Sequence, residues 1–155
     1  MRALLKSCLV LPAMLLAASG CTSWMSEPPH STTSFKATLN GAGEAPPADT
    51  AAGGYLKGEY SHISHVFKWQ LFVNGLSSPM TRGYFHGPDG VGGEQGVVEL
   101  NLPFADNALI GGATLTEAQA ADLLAGRWYV DIQTQQFPDG EIRGPVVPTG
   151  GVPQK

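Results

Sequence analysis

Val66-Phe67-Lys68-Trp69-Gln70-Leu71-Phe72-Val73-Asn74 is the stretch whose reading decides the fold class. Phe67, Trp69, Leu71 and Val73 recur at every second position, with Lys68, Gln70 and Asn74 between them. A period of two places one set on each face of a pleated strand and is incompatible with a helical stripe. Phe72 breaks the alternation and is expected to cover an edge. Outward from this strand the same grammar repeats. Phe35-Lys36-Ala37-Thr38-Leu39 alternates, Gly54 to Tyr60 is a second strand, Met80 to His86 a further one, and Val97 to Leu102 resumes the pattern. Trp128 to Thr134 and Glu141 to Val146 form a pair joined by Phe137-Pro138-Asp139-Gly140, a turn whose proline presets φ and whose glycine frees it. Ser61 to His65 reads as a turn or bulge, and Glu44-Ala45-Pro46-Pro47-Ala48 as an extended piece off the sheet, since proline cannot donate to a ladder. One helix is expected, Leu115 to Ala125, with Thr116 as N-cap, Gln119 completing a capping box and Gly126 as the stop. Short strands, Gly/Pro turns and no βαβ rhythm indicate an all-β domain, either sandwich or barrel.

The N-terminal segment gives an address. Arg2 and Lys6 precede an apolar run from Leu9 to Leu16, then Ala17-Ala18-Ser19-Gly20-Cys21. This is the layout of an export signal, and it resembles a bacterial lipoprotein signal ending at Cys21, with Ala18 where such signals more often carry leucine. The run is broken by Pro12 and is shorter than the about 20 apolar residues a spanning helix needs. The expectation is cleavage after Gly20 and acylation of Cys21, including a palmitate chain. The alternative is an ordinary cleavage that leaves the Cys21 thiol unmodified. Residues 1–20 are thus read as a signal peptide, 21–34 as a polar tether, 35–147 as the folded domain and 148–155 as a loose Pro/Gly tail. Thr22 beside the cysteine resembles the outer-membrane sorting case. Cys8 and Cys21 are the two cysteines. Cys8 leaves with the signal, so no internal disulfide is expected and the core alone holds the fold.

The 155 residues carry a net charge of −4, with nine basic and thirteen acidic side chains. No basic cluster stands out along the chain, which argues against nucleic acid as a partner. An acidic body likewise offers no polybasic help at an anionic membrane, so attachment is assigned to the lipid.

Taken together, an ordered set of phrases resembles the CHRD domain, named for the extracellular antagonist chordin and common in bacterial secreted proteins. They are Phe35-x-Ala37-x-Leu39-x-Gly41 with Glu44-x-Pro46-Pro47; Gly54-x-Leu56; Trp69-x-Leu71-x-Val73-x-Gly75-Leu76; Gly83-Tyr84-Phe85-His86-Gly87-Pro88; Gly96-Val97-Val98-x-Leu100; Leu115-Thr116 through Gly126; and Trp128-Tyr129-Val130-x-Ile132-x-Thr134 with Pro138-Asp139-Gly140-Glu141-Ile142-Arg143-Gly144. The resemblance implies an immunoglobulin-like β-sandwich with distant likeness to copper-zinc superoxide dismutases. It implies no settled activity.

Members resembling this pattern often carry His-x-His in the middle strand and a histidine before the later threonine, a spacing that lets imidazoles converge on one metal ion. Here Tyr84 and Gln133 occupy two of those places and His86 remains. One imidazole does not make a transition-metal site. His62 and His65 are three apart, so an extended strand would point them to opposite faces, while a turn could bring them together. His86 either hydrogen-bonds the backbone of its loop or serves a ligand. No serine nucleophile, paired carboxylates, phosphate loop or calcium loop is evident, and no catalytic residue or cofactor is assigned. Glu141 and Arg143 are expected to share a strand face and act structurally, Arg143 by forking onto a carboxylate or onto loop carbonyls. The expected function is a lipid-anchored envelope protein, a non-enzymatic binding or structural module. It would meet an envelope or extracellular protein partner through the loops Gly87–Glu94 and Asp106–Gly112. The alternative is a copper-binding or dismutase-like oxidoreductase with a degenerate site at His86, His62 and His65.

Overall fold

A computed structural model describes residues 31–88, 97–100 and 108–150. Within them the strands are β1 (Thr32–Asn40), β2 (Gly53–Ser61), β3 (Val66–Asn74), β4 (Met80–His86), β5 (Val98–Glu99), β6 (Ala108–Thr114), β7 (Trp128–Thr134) and β8 (Ile142–Gly150). A helix, α1 (Glu117–Leu124), sits between β6 and β7. All eight strands join one antiparallel sheet in the order β5-β4-β7-β8-β1-β2-β3-β6. The sheet curls until it is nearly closed into a barrel.

Alternation decides which side chains fill the interior. In β1, Phe35, Ala37 and Leu39 are buried while Lys36, Thr38 and Asn40 are exposed, and β3 repeats this with Phe67, Trp69, Leu71 and Val73. The inward sets meet across the interior. Trp69 of β3 packs on Phe85 of β4 with ring centroids 5.0 Å apart, and Phe67 stands edge-on to Trp128 of β7 at 6.2 Å. Thus β3 faces β4 and β7 through the core, and the outer side of β3 points away from the outer side of β4 and β7. Phe72 is indeed outward, 45% exposed and opposite Tyr55 in the ladder.

The capping box of α1 is present: Thr116 Oγ1 accepts from the Gln119 N–H and the Gln119 side chain accepts from the Thr116 N–H. Leu123 is fully buried, a contribution of about 2 kcal/mol. Gly126 leaves the helix at φ +68°, the left-handed region that glycine enters freely.

Three expectations are corrected. β1 begins at Thr32, so residues 32–34 belong to the sheet and not to a tether; Thr33 is fully buried. β8 runs to Gly150, with Pro148 opposite Phe35, so the tail assigned from 148 starts as strand. The segment Asp106–Gly112, expected as a binding loop, is strand from Ala108 onward. Its Gly111-Gly112 pair looks like a chain breaker, yet Gly111 is needed because a Cβ there would lie 2.6 Å from the Trp69 ring. Of the expected strand from Val97 to Leu102, Val98–Glu99 is strand and Leu100 is buried as expected, while residues 101–102 and most of the loop Gly87–Glu94 lie outside the described residues.

Candidate functional site

The ladder register fixes which side chains share the outer face of β4, β7 and β8. Arg82 lies opposite Gln133, Tyr84 opposite Asp131, His86 opposite Tyr129, and Asp131 opposite Arg143. These positions alternate with the core residues Phe85, Val130, Ile132 and Ile142. Outward residues of a sheet are usually wet, but Tyr84, His86 and Asp131 are 6%, 5% and 2% exposed. His86 and Asp131 border a polar cleft of about 460 Å³ whose rim includes Arg82, Pro138 and Asp139.

Inside the cleft the groups form a chain of contacts. His86 Nε2 donates to Asp131 Oδ1 at 2.9 Å. A carboxylate can only accept, so Nε2 carries a proton in this contact. The Tyr129 ring stacks on His86 at 4.7 Å with 7° between planes, and the Arg143 guanidinium lies over the Tyr129 ring, 4.6 Å from its centroid. Arg143 also pairs with Glu44 Oε2 at 2.9 Å. Glu44 comes from the extended segment after a 3-10 turn at Gly41–Gly43, and its carboxylate packs on Gly140, where a Cβ would sit 2.6 Å from Oε1. Burial pushes the Glu44 carboxyl up to about 7, against the downward pull of Arg143. Three buried polar atoms of this chain, His86 Nδ1, Arg143 Nε and Glu44 Oε1, have no hydrogen-bond partner among the described residues. Buried polar atoms without partners are uncommon and costly, so this face keeps unspent hydrogen-bonding capacity.

Glu141 and Arg143 do not share surroundings, contrary to expectation. Glu141 lies one residue ahead of β8 and turns into the molecule, fully buried, while Arg143 sits in the ladder and points outward. Glu141 Oε1 accepts from Thr50 Oγ1 (2.8 Å) and the Ser77 N–H (2.8 Å), and Oε2 accepts from Ser77 Oγ (2.9 Å) and Thr134 Oγ1 (2.7 Å). Burial alone would raise its pKa, but these hydrogen bonds from Thr134, Ser77 and Thr50 outweigh it and hold the carboxyl below its ordinary value.

His62 and His65 lie elsewhere, flanking Tyr60 at the β2–β3 turn. His62 Nε2 meets Thr33 Oγ1 at 2.8 Å, and His65 Nδ1 meets the Tyr60 hydroxyl at 3.1 Å. Neither is brought to His86, and among the described residues no group of three or more His, Cys, Asp or Glu is arranged to hold a metal ion. Cys21 lies outside the described residues. No helix among them is long and apolar enough to cross a membrane.

The CHRD domain model matches residues 35–146. The chain belongs to the CHRD domain family. That span contains every cleft residue of this CHRD domain, from Arg82 to Arg143, and Glu44, which pairs with Arg143. No curated protein and no solved structure matches the chain. Sequence reading found His86, Arg143 and Glu141 but missed Glu44, Tyr129 and Asp131. Their signal was positional: Asp131 and Tyr129 alternate with the core residues of β7, and Glu44 is the acid just before the Pro46-Pro47 phrase.

Proposed function

We propose that the chain is a lipid-anchored envelope protein whose CHRD domain is a non-enzymatic binding module, with the β4–β7–β8 cleft as its binding face. The observation that carries this reading is the cleft itself: rigid strands present a stacked His86–Tyr129–Arg143 array beside three buried polar atoms that lack partners among the described residues. Recognition sites are largely preformed and use a few fixed polar groups to orient what they bind. The occupant in this reading is an envelope or extracellular protein, and the finer fold assignment is an immunoglobulin-like or dismutase-like sandwich whose edges have curled toward closure. Acylated Cys21 holds the domain at a membrane, the outer membrane in this reading. Mass measurement of the mature N-terminal peptide tests the anchor: an acylated Cys21 supports it and a free thiol or an intact residue 1–20 segment refutes it.

A second reading has one observation in its favour. His86 Nδ1 is an available nitrogen with Asp131 beside it, which keeps copper binding by His86 in play. Copper titration of the purified protein and of His86→Ala separates the readings. Stoichiometric copper lost in the variant favours the metal site; weak uptake that is equal in both favours the binding module.

A further inference from the structure

The described lysines are not scattered. Lys36, Lys57 and Lys68 are all the lysines among the described residues, and all three project from the outer face of β1, β2 and β3. The ladder sets Lys36 directly opposite Lys57. Like charges directly opposite one another destabilise a sheet, so the fold keeps this pair at a cost. Glu59, opposite Lys68, is the acidic residue on these outward positions among the described residues. Next to the lysines stand the exposed apolar side chains Tyr55 (40%), Phe72 (45%) and Ile110 (69%). Between Lys57 and Lys68 runs an open groove of about 340 Å³ that reaches Ile110. Basic residues around amphipathic and apolar ones are the composition of a surface that lies on anionic lipid. The overall charge of −4 conceals it, because the other acids among the described residues lie off this face.

We infer that the outer face of β1–β2–β3–β6 docks on an anionic lipid bilayer, with Lys36, Lys57 and Lys68 at the headgroups and Tyr55, Phe72 and Ile110 entering the interface. The inference deepens the proposed function and rests on it for delivery of the domain to a membrane. The stretch 22–31 reaches at most about 35 Å fully extended, which keeps a domain tethered at Cys21 within one domain diameter of the bilayer. The docked orientation has a consequence. β3 packs across the core from β4 and β7, so lipid under β3 turns the His86–Tyr129–Arg143 cleft away from the membrane, toward a protein partner. A unit positive charge at an anionic surface favours the docked state about fivefold, so three lysines less the opposing Glu59 favour it about thirtyfold.

The test uses the full chain on floated vesicles, either phosphatidylglycerol-rich or pure phosphatidylcholine, and a membrane-impermeant amine-acylating reagent with each lysine read by peptide mass. Lys36, Lys57 and Lys68 are expected to be acylated about tenfold more slowly on the anionic vesicles than on phosphatidylcholine. About 0.5 M salt should remove the protection, since it shortens the screening length to a few ångströms. In the Lys57→Gln, Lys68→Gln variant, Lys36 should lose its protection. Equal labelling on both vesicle types, or protection that survives salt and the double variant, overturns the docking face. The N-terminal peptide of the same sample reports the anchor separately: an unmodified Cys21 with protected lysines removes the anchor and leaves the docking face, and an acylated Cys21 with unprotected lysines does the reverse.

Discussion

Replacing Glu141 by glutamine isolates the charge of a carboxylate that ties four segments together. Its oxygens collect hydrogen bonds from Thr50 after β1, Ser77 between β3 and β4, and Thr134 at the end of β7, while its own N–H donates to Ile132. Glutamine has nearly the same shape. Its carbonyl must take the Oε1 place, because the Ser77 N–H can only donate; its NH2 then faces two hydroxyls that have to rotate to accept. Each of the four bonds falls from the charged class, about 1.5–3 kcal/mol, to the neutral class, about 1 kcal/mol. With imperfect additivity the loss is about 3 kcal/mol, which for a domain of this size lowers Tm by about 10 °C. Circular dichroism melts of wild type and Glu141→Gln at neutral pH measure it. The pH dependence supplies the sign. The Glu141 carboxyl is held below its ordinary value in the fold, so its stabilisation is complete above the unfolded value of about 4.5 and is lost as pH falls through the folded value. The gap between wild type and variant must therefore narrow in acid. A Tm within about 2 °C of wild type, or a gap that stays constant down to about pH 2.5, would refute the reasoning.

Arg143→Ala should cost about 2–3 kcal/mol at pH 8, because it strips a buried carboxylate of its cation. The Glu44 carboxyl is raised to about 7, so its contribution is full below about pH 4.5 and is lost as pH climbs through 7. The penalty of Arg143→Ala should accordingly shrink at pH 5, where Glu44 is protonated either way, and urea unfolding at the two pH values checks this. Gly111→Val should cost about 1–3 kcal/mol and shift Trp69 fluorescence, since the new side chain must displace that ring; an unchanged urea midpoint would mean that β6 does not lie over it.

The all-β class, the course of β3, β4 and β7, and the capping box of α1 were legible in the sequence because each rests on a local period or a local cap. The strand β6 was not, because Ala108-Leu109-Ile110-Gly111-Gly112 has no local reason to be extended; the reason is the Trp69 indole, 42 positions earlier. The site divided along the same line. His86 and Arg143 stood out as isolated imidazole and glycine-flanked arginine. The partners that give them meaning, Asp131 and Glu44, lie 45 and 99 positions away and become neighbours only through the β4–β7–β8 ladder and the segment that follows β1. Net charge says nothing of where the lysines lie. A whole-chain sum cannot reveal that Lys36, Lys57 and Lys68 converge, since they converge across strands and not along them.

The central claim is that the β4–β7–β8 cleft receives a partner. A photoreactive residue placed at Gln133, half-buried in that cleft, tests it most directly when compared with one at Gln70 on the opposite outer face. In living cells the account predicts a discrete protein adduct from position 133 that disappears with Arg143→Ala in a still-folded protein, and none from position 70. A protein adduct from position 70 with none from position 133 would contradict it.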